Sequence, residues 1–180
     1  MTKYIFPFAE KDIPKGGEFG NHDAPRTNAH RGVDGPPEFA VAVTDAVVVV
    51  NKWSTVLGNV VVIQDEKGTF WGYNHLRDAS KLGVGTRVKC GDRLGVVGNT
   101  GSASRGRHLH FTCSNHIDGN QQGKVFDPFE ILKKRMAVEA AKSPKPVVKA
   151  AVVEAKPVEK VAADVAPAKK SVPAASKKAV

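Results

Sequence analysis

The sequence predicts a mostly β fold: a small antiparallel β-sandwich or curled-sheet domain with a short C-terminal helix and a disordered basic tail. Three observations favour this class. Short β-branched runs recur along the chain, turn-forming residues separate them, and one segment carries a strong helix start signal. The runs lie too close together for the long crossover helices that a parallel α/β sheet requires.

The predicted strands follow one another from Phe39 onwards. Two valine-rich runs come first, and a hairpin loop at residues 65–68, in which Gly68 supplies a positive φ, leads into an aromatic-rich strand. Further short strands follow at similar spacing. The segments expected to be strands are residues 46–50, 59–63, 69–76, 87–89, 93–97 and 107–111.

The two ends of the chain are expected to differ from this centre. Residues 1–29, rich in Gly, Pro, Asn and Asp, predict irregular structure that wraps a core. Residues 127–130 are typical of a helix start, with Asp as N-cap, Pro at the first position and Glu completing a capping box. The helix is expected to fade after Arg135. Residues 1–135 would then form one domain, and residues 136–180, which lack aromatics and hold five prolines, a disordered tail.

The N-terminus and the cysteines indicate a reducing compartment. Residues 1–12 do not resemble a signal peptide, because their apolar run is short and Pro7 interrupts it. No stretch approaches the roughly 18 apolar residues of a membrane span. Cys90 and Cys113 lack a Cys-x-x-Cys spacing, so we expect two reduced, largely buried thiols rather than a disulfide. Synthesis as a cytoplasmic protein is the resulting expectation.

Two histidines on one predicted strand are the first candidates for a functional site. On a strand over residues 107–111, His108 and His110 point to one face, while Leu109 and Phe111 point to the other. A strand holds imidazole rings in better defined positions than a loop does, which suits a metal site. Alone, the pair is a weak indication, because a strand surface also carries two histidines by chance.

Three further polar residues fall at predicted strand ends or in adjoining loops. His30 and Asp34 lie in a segment that Gly32 and the prolines after Asp34 exclude from a helix, and His75 lies near the end of the aromatic-rich strand. A catalytic Zn²⁺ takes three protein ligands, at about 2.0–2.2 Å for N and O donors, and keeps one position open. Nearby imidazoles can then move protons or donate to a developing oxyanion, because the pKa of histidine is close to working pH.

Three motifs occur in order along the chain. They are His-x-x-x-Asp at residues 30–34, Tyr-x-His-Leu at residues 73–76, and a glycine-rich turn at residues 98–101 that leads to His-x-His at residues 108–110. In this combination the sequence resembles the lysostaphin-type zinc endopeptidases, which cut peptides in bacterial peptidoglycan. Residues 84–92 and 127–128 also follow the family pattern, so the resemblance covers about residues 19–132.

The resemblance implies a role for each candidate residue. His30, Asp34 and His110 would bind one Zn²⁺ per chain, and His75 and His108 would be the catalytic imidazoles beside the scissile peptide. It also implies a small β fold with a groove for an extended peptide, and bacterial peptidoglycan as the substrate. We expect a monomer.

Other residues are better explained by structure than by chemistry. His22 and His116 lie in polar loops and are expected to be solvated. Trp53, Trp71 and Tyr73 could line the groove, but aromatic residues on strands are more often part of the core, and we expect them there.

Two alternatives to a hydrolase stay open. Residues 35–37 and 44–46 depart from the family pattern, which alters the expected groove, and a non-catalytic wall-binding activator is one alternative. The other is a carrier-type β module, because residues 84–97 resemble the hairpin of lipoyl or biotinyl carrier domains. The tip of that hairpin would hold Cys90, and Lys89 is not in the usual setting for modification.

The net charge of +9 and the pI of about 9.6 favour contact with polyanions. Residues 136–180 hold nine lysines and four acidic residues, a net charge of +5. The tail is either a solvated linker or a salt-sensitive tether to anionic wall polymers or a membrane surface. Specific nucleic-acid binding is not expected, because no aromatic residue or arginine interleaves with the lysines.

A single catalytic domain without a signal peptide is the arrangement of many phage endolysins, which collect in the host cytoplasm and act on the wall after release.

Overall fold

The computed structural model describes residues 2–23, 27–118 and 123–142, and within these ranges it contains nine β-strands, one α-helix and a 3-10 turn at Glu10–Asp12. The mostly β class is confirmed. The elements are β1 Val33–Gly35, β2 Phe39–Val41, β3 Ala46–Ser54, β4 Gly58–Asp65, β5 Phe70–Leu76, β6 Arg87–Val88, β7 Arg93–Val96, β8 Leu109–Ser114, β9 Val125–Phe126 and α1 Pro128–Lys142.

Most of the strands form one antiparallel sheet in the order β1-β8-β5-β4-β3-β6, and β9 pairs with the C-terminal end of β8. β2 and β7 form a separate two-stranded sheet. Hairpins join β3 to β4 and β4 to β5, whereas β8 lies between β1 and β5. Segments that are far apart in sequence therefore become neighbours on both sides of β8.

The segment proposed as a carrier hairpin does not pair with itself. β6 pairs with β3 and β7 pairs with β2, so residues 84–97 contribute to two different sheets. At the turn between them, Lys89 Nζ forms an ion pair with Asp45 at 2.8 Å. The structure therefore contradicts the carrier-type interpretation of this segment.

The run of β-branched residues in β4 is explained by burial on both faces of the strand. Val61 and Ile63 belong to the main core, while Val60 and Val62 pack with Leu57 in a second, smaller cluster. The largest fully buried side chains include Trp71, Tyr73, Phe111, Ile63, Leu76, Leu94 and Leu109.

The aromatic residues expected in the core are divided. Trp71 and Tyr73 are fully buried, as predicted, but Trp53 is 61% exposed. Trp53 pairs with Asn59 near the turn of the β3–β4 hairpin, where its neighbour Lys52 is also exposed, so its prediction is wrong. Cys90 and Cys113 are both free thiols, and burial raises the pKa of Cys113 to about 12.

The described residues of the N-terminal segment pack on the core without forming a strand of their own, as expected. The Phe6 and Phe8 rings lie 5.1 and 5.3 Å from the Phe129 ring of α1. Phe129 and Leu132 are buried, so one face of the helix closes over the sheet and the N-terminal segment covers its start.

The helix start is confirmed and the helix end is corrected. Asp127 Oδ1 accepts hydrogen bonds from the backbone N–H groups of Phe129 and Glu130, as an N-cap does. The Glu130 side chain pairs with Lys133 at 3.1 Å and does not complete the capping box. α1 continues to Lys142, so residues 136–142, expected to belong to a disordered tail, are helical. Residues 143–180 lie outside the described ranges.

No helix in the described part of the chain combines the length and apolar character needed to cross a membrane.

A buried ion pair explains why the helix extends past its predicted end. The Asp65 carboxylate has no exposed surface and pairs with Arg135 of α1. The same carboxylate accepts hydrogen bonds from Trp71 Nε1 at 2.9 Å and from the backbone N–H groups of Lys67 and Thr69. Arg135 therefore anchors the middle of α1 to the β4–β5 turn, which favours continued helix on its C-terminal side.

We predict that Asp65→Asn lowers the free energy of unfolding by about 3 kcal/mol, because it leaves a guanidinium without its counter-charge in a buried site. Urea denaturation at neutral pH measures the change. The matched control is Asp78→Asn, since Asp78 pairs with Arg77 at an exposed position and its loss costs less than about 1 kcal/mol. Equal effects of the two substitutions would contradict the anchoring role of Asp65.

Candidate metal centre

The register of two strands brings Asp34 and His110 together. Asp34 of β1 lies directly opposite His110 of β8, and Asn74 of β5 lies opposite the same histidine on the other side. Directly opposed residues have Cβ atoms about 4.5–5.5 Å apart, so the register itself places a carboxylate beside an imidazole. The distance from His110 Nδ1 to Asp34 Oδ1 is 2.9 Å.

His30 reaches the same point because Gly32 allows a close approach of the chain to β8. A Cβ atom at Gly32 would lie 2.5 Å from the Phe111 carbonyl oxygen and 2.8 Å from His110 Cε1. With glycine there, His30 Nε2 lies 3.0 Å from His110 Nδ1 and 3.2 Å from Asp34 Oδ1. Two ring nitrogens and one carboxylate oxygen thus converge on one point.

The three converging atoms fit a tetrahedrally coordinated divalent metal. Ligand bonds of about 2.0–2.2 Å in a tetrahedral site separate neighbouring donor atoms by roughly 3.4 Å, slightly more than the separations seen here. His30 Nδ1 lies 2.9 Å from the Glu18 carbonyl oxygen, which can only accept, so Nδ1 carries the proton. His30 Nε2 therefore presents a lone pair, as a metal ligand with an oriented outer partner does.

The charge states of the other two residues also suit metal binding. Burial alone would raise the pKa of Asp34, but the contacts with the His110 and His30 rings hold that pKa well below its usual range, so the carboxylate is ionised. Burial lowers the pKa of His110, which favours the neutral ring despite the nearby Asp34 charge. Deprotonated carboxylate and neutral imidazole are the forms that bind metal ions.

His75 and His108 stand side by side next to these three residues. Their ring centroids are 4.8 Å apart, and the His75 ring is 5.9 Å from the His110 ring. His75 Nδ1 donates to the Thr100 carbonyl at 2.7 Å, and His108 Nδ1 donates to the Gly106 carbonyl at 2.8 Å. Each ring therefore keeps its unprotonated Nε2 for another partner, and His108 Nε2 lies 3.8 Å from Asp34 Oδ1.

The backbone at His75 is held in an uncommon conformation. His75 has φ 62°, the only positive φ of a non-glycine residue in the described ranges, and such strain persists where the surroundings determine it. Its N–H donates to the Leu57 carbonyl at 2.8 Å and its own carbonyl accepts from Gly98 at 3.0 Å. These bonds connect His75 to the β3–β4 turn and to the glycine-rich loop.

Thr100 completes this support and is a residue that the sequence did not single out. Its hydroxyl donates to the Leu76 carbonyl at 2.6 Å and accepts the Asn59 N–H at 3.1 Å, while its carbonyl orients His75. Gly101, with φ 85°, allows the loop to sit against the hairpin, since a Cβ there would lie 2.3 Å from the Gly58 nitrogen. The glycine-rich turn at residues 98–101 was the sequence feature that pointed to this region. The sequence did not show which other segments of the chain the turn contacts.

The five residues line a cleft with a volume of about 470 Å³. His30, His75 and His110 are buried at its floor, and Val56 and Leu57 of the β3–β4 turn form one wall. His22 and His116 do not contribute to this lining. His22 is exposed, and His116 accepts a hydrogen bond from the Asp118 N–H, in agreement with the prediction that both are loop histidines.

Three potential metal ligands and two adjacent imidazoles in a β-sheet cleft are the groups that a metallopeptidase site requires. The chain belongs to peptidase family M23, which it matches over residues 28–128. The resemblance to the lysostaphin-type enzymes is therefore confirmed.

Similar proteins agree with this assignment. The catalytic domain of the antimicrobial peptidase lysostaphin from Staphylococcus simulans is 27% identical, with a TM-score of 0.55, over 64% of this chain and 89% of that one. LytU is 28% identical, also with a TM-score of 0.55, over 73% of this chain and 91% of that one. An uncharacterized metalloprotease of Buchnera aphidicola subsp. Baizongia pistaciae (strain Bp) is 33% identical over 96 residues, 51% of this chain. The match spans only 24% of that relative's length.

The pKa of His75 predicts a pH dependence of stability in the metal-free protein. Burial lowers this pKa from 6.5 to about 4, although the bond to the Thr100 carbonyl opposes the shift. Between these pH values the unfolded chain binds more protons at His75 than the folded chain does. The free energy of unfolding should therefore fall as the pH falls from 6.5 to 4, by up to about 3 kcal/mol from this residue.

His75→Asn tests this contribution, because asparagine does not titrate and tolerates a positive φ. Urea denaturation of both proteins in EDTA, at several pH values across this window, should show a shallower loss of stability in the variant. Parallel curves for the two proteins would contradict a depressed pKa at His75.

Proposed function

We propose that this chain is a zinc-dependent endopeptidase that hydrolyses peptide bonds of bacterial peptidoglycan. The observation that carries the proposal is the convergence of His30 Nε2, Asp34 Oδ1 and His110 Nδ1, within 3.2 Å of one another, beside two further imidazoles. Neutral imidazole nitrogens and a carboxylate oxygen are donors that suit Zn²⁺.

His30, Asp34 and His110 would hold the ion. When bound, Zn²⁺ acts as a Lewis acid that polarises the scissile carbonyl and makes water more acidic. The outer contact from the Glu18 carbonyl keeps His30 in the tautomer that binds metal. Asp34 supplies the negative charge, and the register of β1 against β8 holds it in place.

We propose that His75 and His108 move the proton during hydrolysis. Both rings donate Nδ1–H to a backbone carbonyl, so each has an Nε2 lone pair that can accept a proton from the attacking water. Once protonated, that nitrogen can donate to the developing oxyanion or to the leaving amine. Because the pKa of His75 is about 4, a proton on this ring is readily given up.

The shape of the cleft supports an extended peptide as the substrate. The cleft is open to solvent between the β3–β4 turn and the loop at residues 101–106, and a second cavity of about 450 Å³ adjoins it beside His108. The likeness to lysostaphin, an antimicrobial peptidase, supports a bacterial cell-wall peptide over other extended peptides. An intact set of ligands and both imidazoles favour an enzyme over a non-catalytic wall-binding activator.

The finer parts of the function stay predictions. We propose that the nine lysines of residues 136–180 attach the protein to anionic wall polymers or a membrane surface, in a way that salt weakens. We also propose that the protein is made in the cytoplasm of a phage-infected host, acts on the wall after release and is a monomer.

The proposal makes different predictions for the two groups of histidines. His30→Ala and His110→Ala should lose both bound zinc and activity, because each removes a ligand. His75→Ala and His108→Ala should retain about one zinc per chain but lose about 10²–10⁴-fold in the rate of hydrolysis, as expected for proton-transfer groups. Elemental analysis gives the zinc content, and release of amino groups from purified peptidoglycan gives the rate.

His22→Ala is the matched control, because His22 is exposed and lies outside the cleft. It should match the unsubstituted protein in both measurements. EDTA should abolish hydrolysis and added Zn²⁺ should restore it. Hydrolysis at the full rate by His110→Ala, or no release of amino groups by the zinc-loaded protein, would reject the proposed function.

A further inference from the structure

The cleft continues past His108 into the second cavity. This cavity, about 450 Å³, shares Asp34, Ala103 and His108 with the first one, so the two form one groove that passes the metal centre. Its remaining lining consists of Pro14, Arg105, Gly106 and Arg107. A peptide bound across the metal centre would therefore have its next residues beside two arginines.

The loop that carries these arginines is held by internal hydrogen bonds. Ser104 Oγ lies 2.6 Å from Asn99 Oδ1, 3.0 Å from the Gly106 carbonyl oxygen and 3.3 Å from His108 Nδ1. The His108 N–H donates to the Gly98 carbonyl at 3.1 Å. Arg105 and Arg107 thus extend from a backbone segment whose position is tied to the ring of His108.

Within the described residues, no ion pair offsets the charges of Arg105 and Arg107 in this part of the groove. Among the described residues, Arg105 forms no hydrogen bond or ion pair. Arg107 donates one Nη1–H to the Pro37 carbonyl at 2.9 Å, which leaves its other guanidinium N–H groups available. The one acidic residue in the described lining is Asp34, whose Oδ1 is already in contact with His30 and His110.

We propose that Arg105 and Arg107 form a subsite for a free carboxylate next to the scissile bond, so that the enzyme prefers acidic peptides of peptidoglycan to uncharged ones. This inference rests on the proposed function. A guanidinium binds a carboxylate through two parallel N–H···O bonds. An arginine with no internal partner breaks no existing hydrogen bond or ion pair when it binds a carboxylate. An uncharged glycine-rich bridge would offer these side chains no counter-charge.

The test compares two forms of one substrate. A purified, peptide-cross-linked muropeptide with free carboxylates is used as isolated, and a second sample is used after its carboxylates have been converted to primary amides. The zinc-loaded protein should cleave the native form with a kcat/KM about tenfold higher than the amidated form, the size expected for hydrogen bonds to a charged group. The difference should lie mainly in KM, because the subsite is beside the reacting atoms and not among them.

Three variants assign this preference to the two arginines. Arg105→Gln/Arg107→Gln should cleave both forms at similar rates, and Arg105→Lys/Arg107→Lys should keep part of the preference because it keeps the charge. The matched control is Arg87→Gln, an exposed arginine on β6, at the edge of the sheet opposite β1. It removes one positive charge, where the double glutamine variant removes two, from a site remote from the groove, and should retain the full preference.

The outcomes separate the two proposals. Equal cleavage of both forms by the unsubstituted protein, or an unchanged preference in the double glutamine variant, would overturn the carboxylate subsite while the proposed function stands. Equal loss of preference in Arg87→Gln would also overturn it, because the effect would then be due to overall charge. If the zinc-loaded protein cleaves neither form, nor intact peptidoglycan, the proposed function itself fails.

Discussion

The pairing of β1 with β8, which sets Asp34 opposite His110, is the contact on which the site depends. Side chains alternate between the two faces of a strand, so a slip of one residue would turn Asp34 away from His110 and toward the other face. His30 depends on the same pairing, because Gly32 passes within contact distance of β8. One short ladder of backbone hydrogen bonds thus positions all three candidate ligands.

Backbone carbonyls set the orientation of three of the four rings. Glu18 orients His30, Thr100 orients His75 and Gly106 orients His108, in each case by accepting the Nδ1 proton. A carbonyl cannot donate, so it selects one tautomer and leaves Nε2 as the reactive atom. The chemistry of the rings therefore depends on the shape of the loops around them, which explains the strained backbone at His75 and the close approach of the glycine-rich turn to the β3–β4 hairpin.

Much of this site was evident from local patterns. The valine-rich strands and the Asp127 N-cap were predicted because each depends on neighbours in sequence, whereas the site residues were singled out by the resemblance of their motifs to a known family. The end of α1 was not, since Arg135 is held by Asp65, which lies 70 residues earlier in the chain. Trp53 was misplaced for a related reason: a strand residue is buried only where another layer covers it, and that depends on the whole sheet.

The sequence by itself determined which chemical groups are available: the histidines and aspartate of the motifs, the strands that carry them and the turns that separate them. Only the tertiary structure decided which nitrogens face one another, which tautomers the rings adopt, and that two arginines with no acidic partner among the described residues line the groove beside them. The reason is physical. Local conformation follows from the preferences of adjacent residues, whereas the distance between His110 and a partner 76 or 80 residues away follows from strand register and close packing, which belong to the folded chain as a whole.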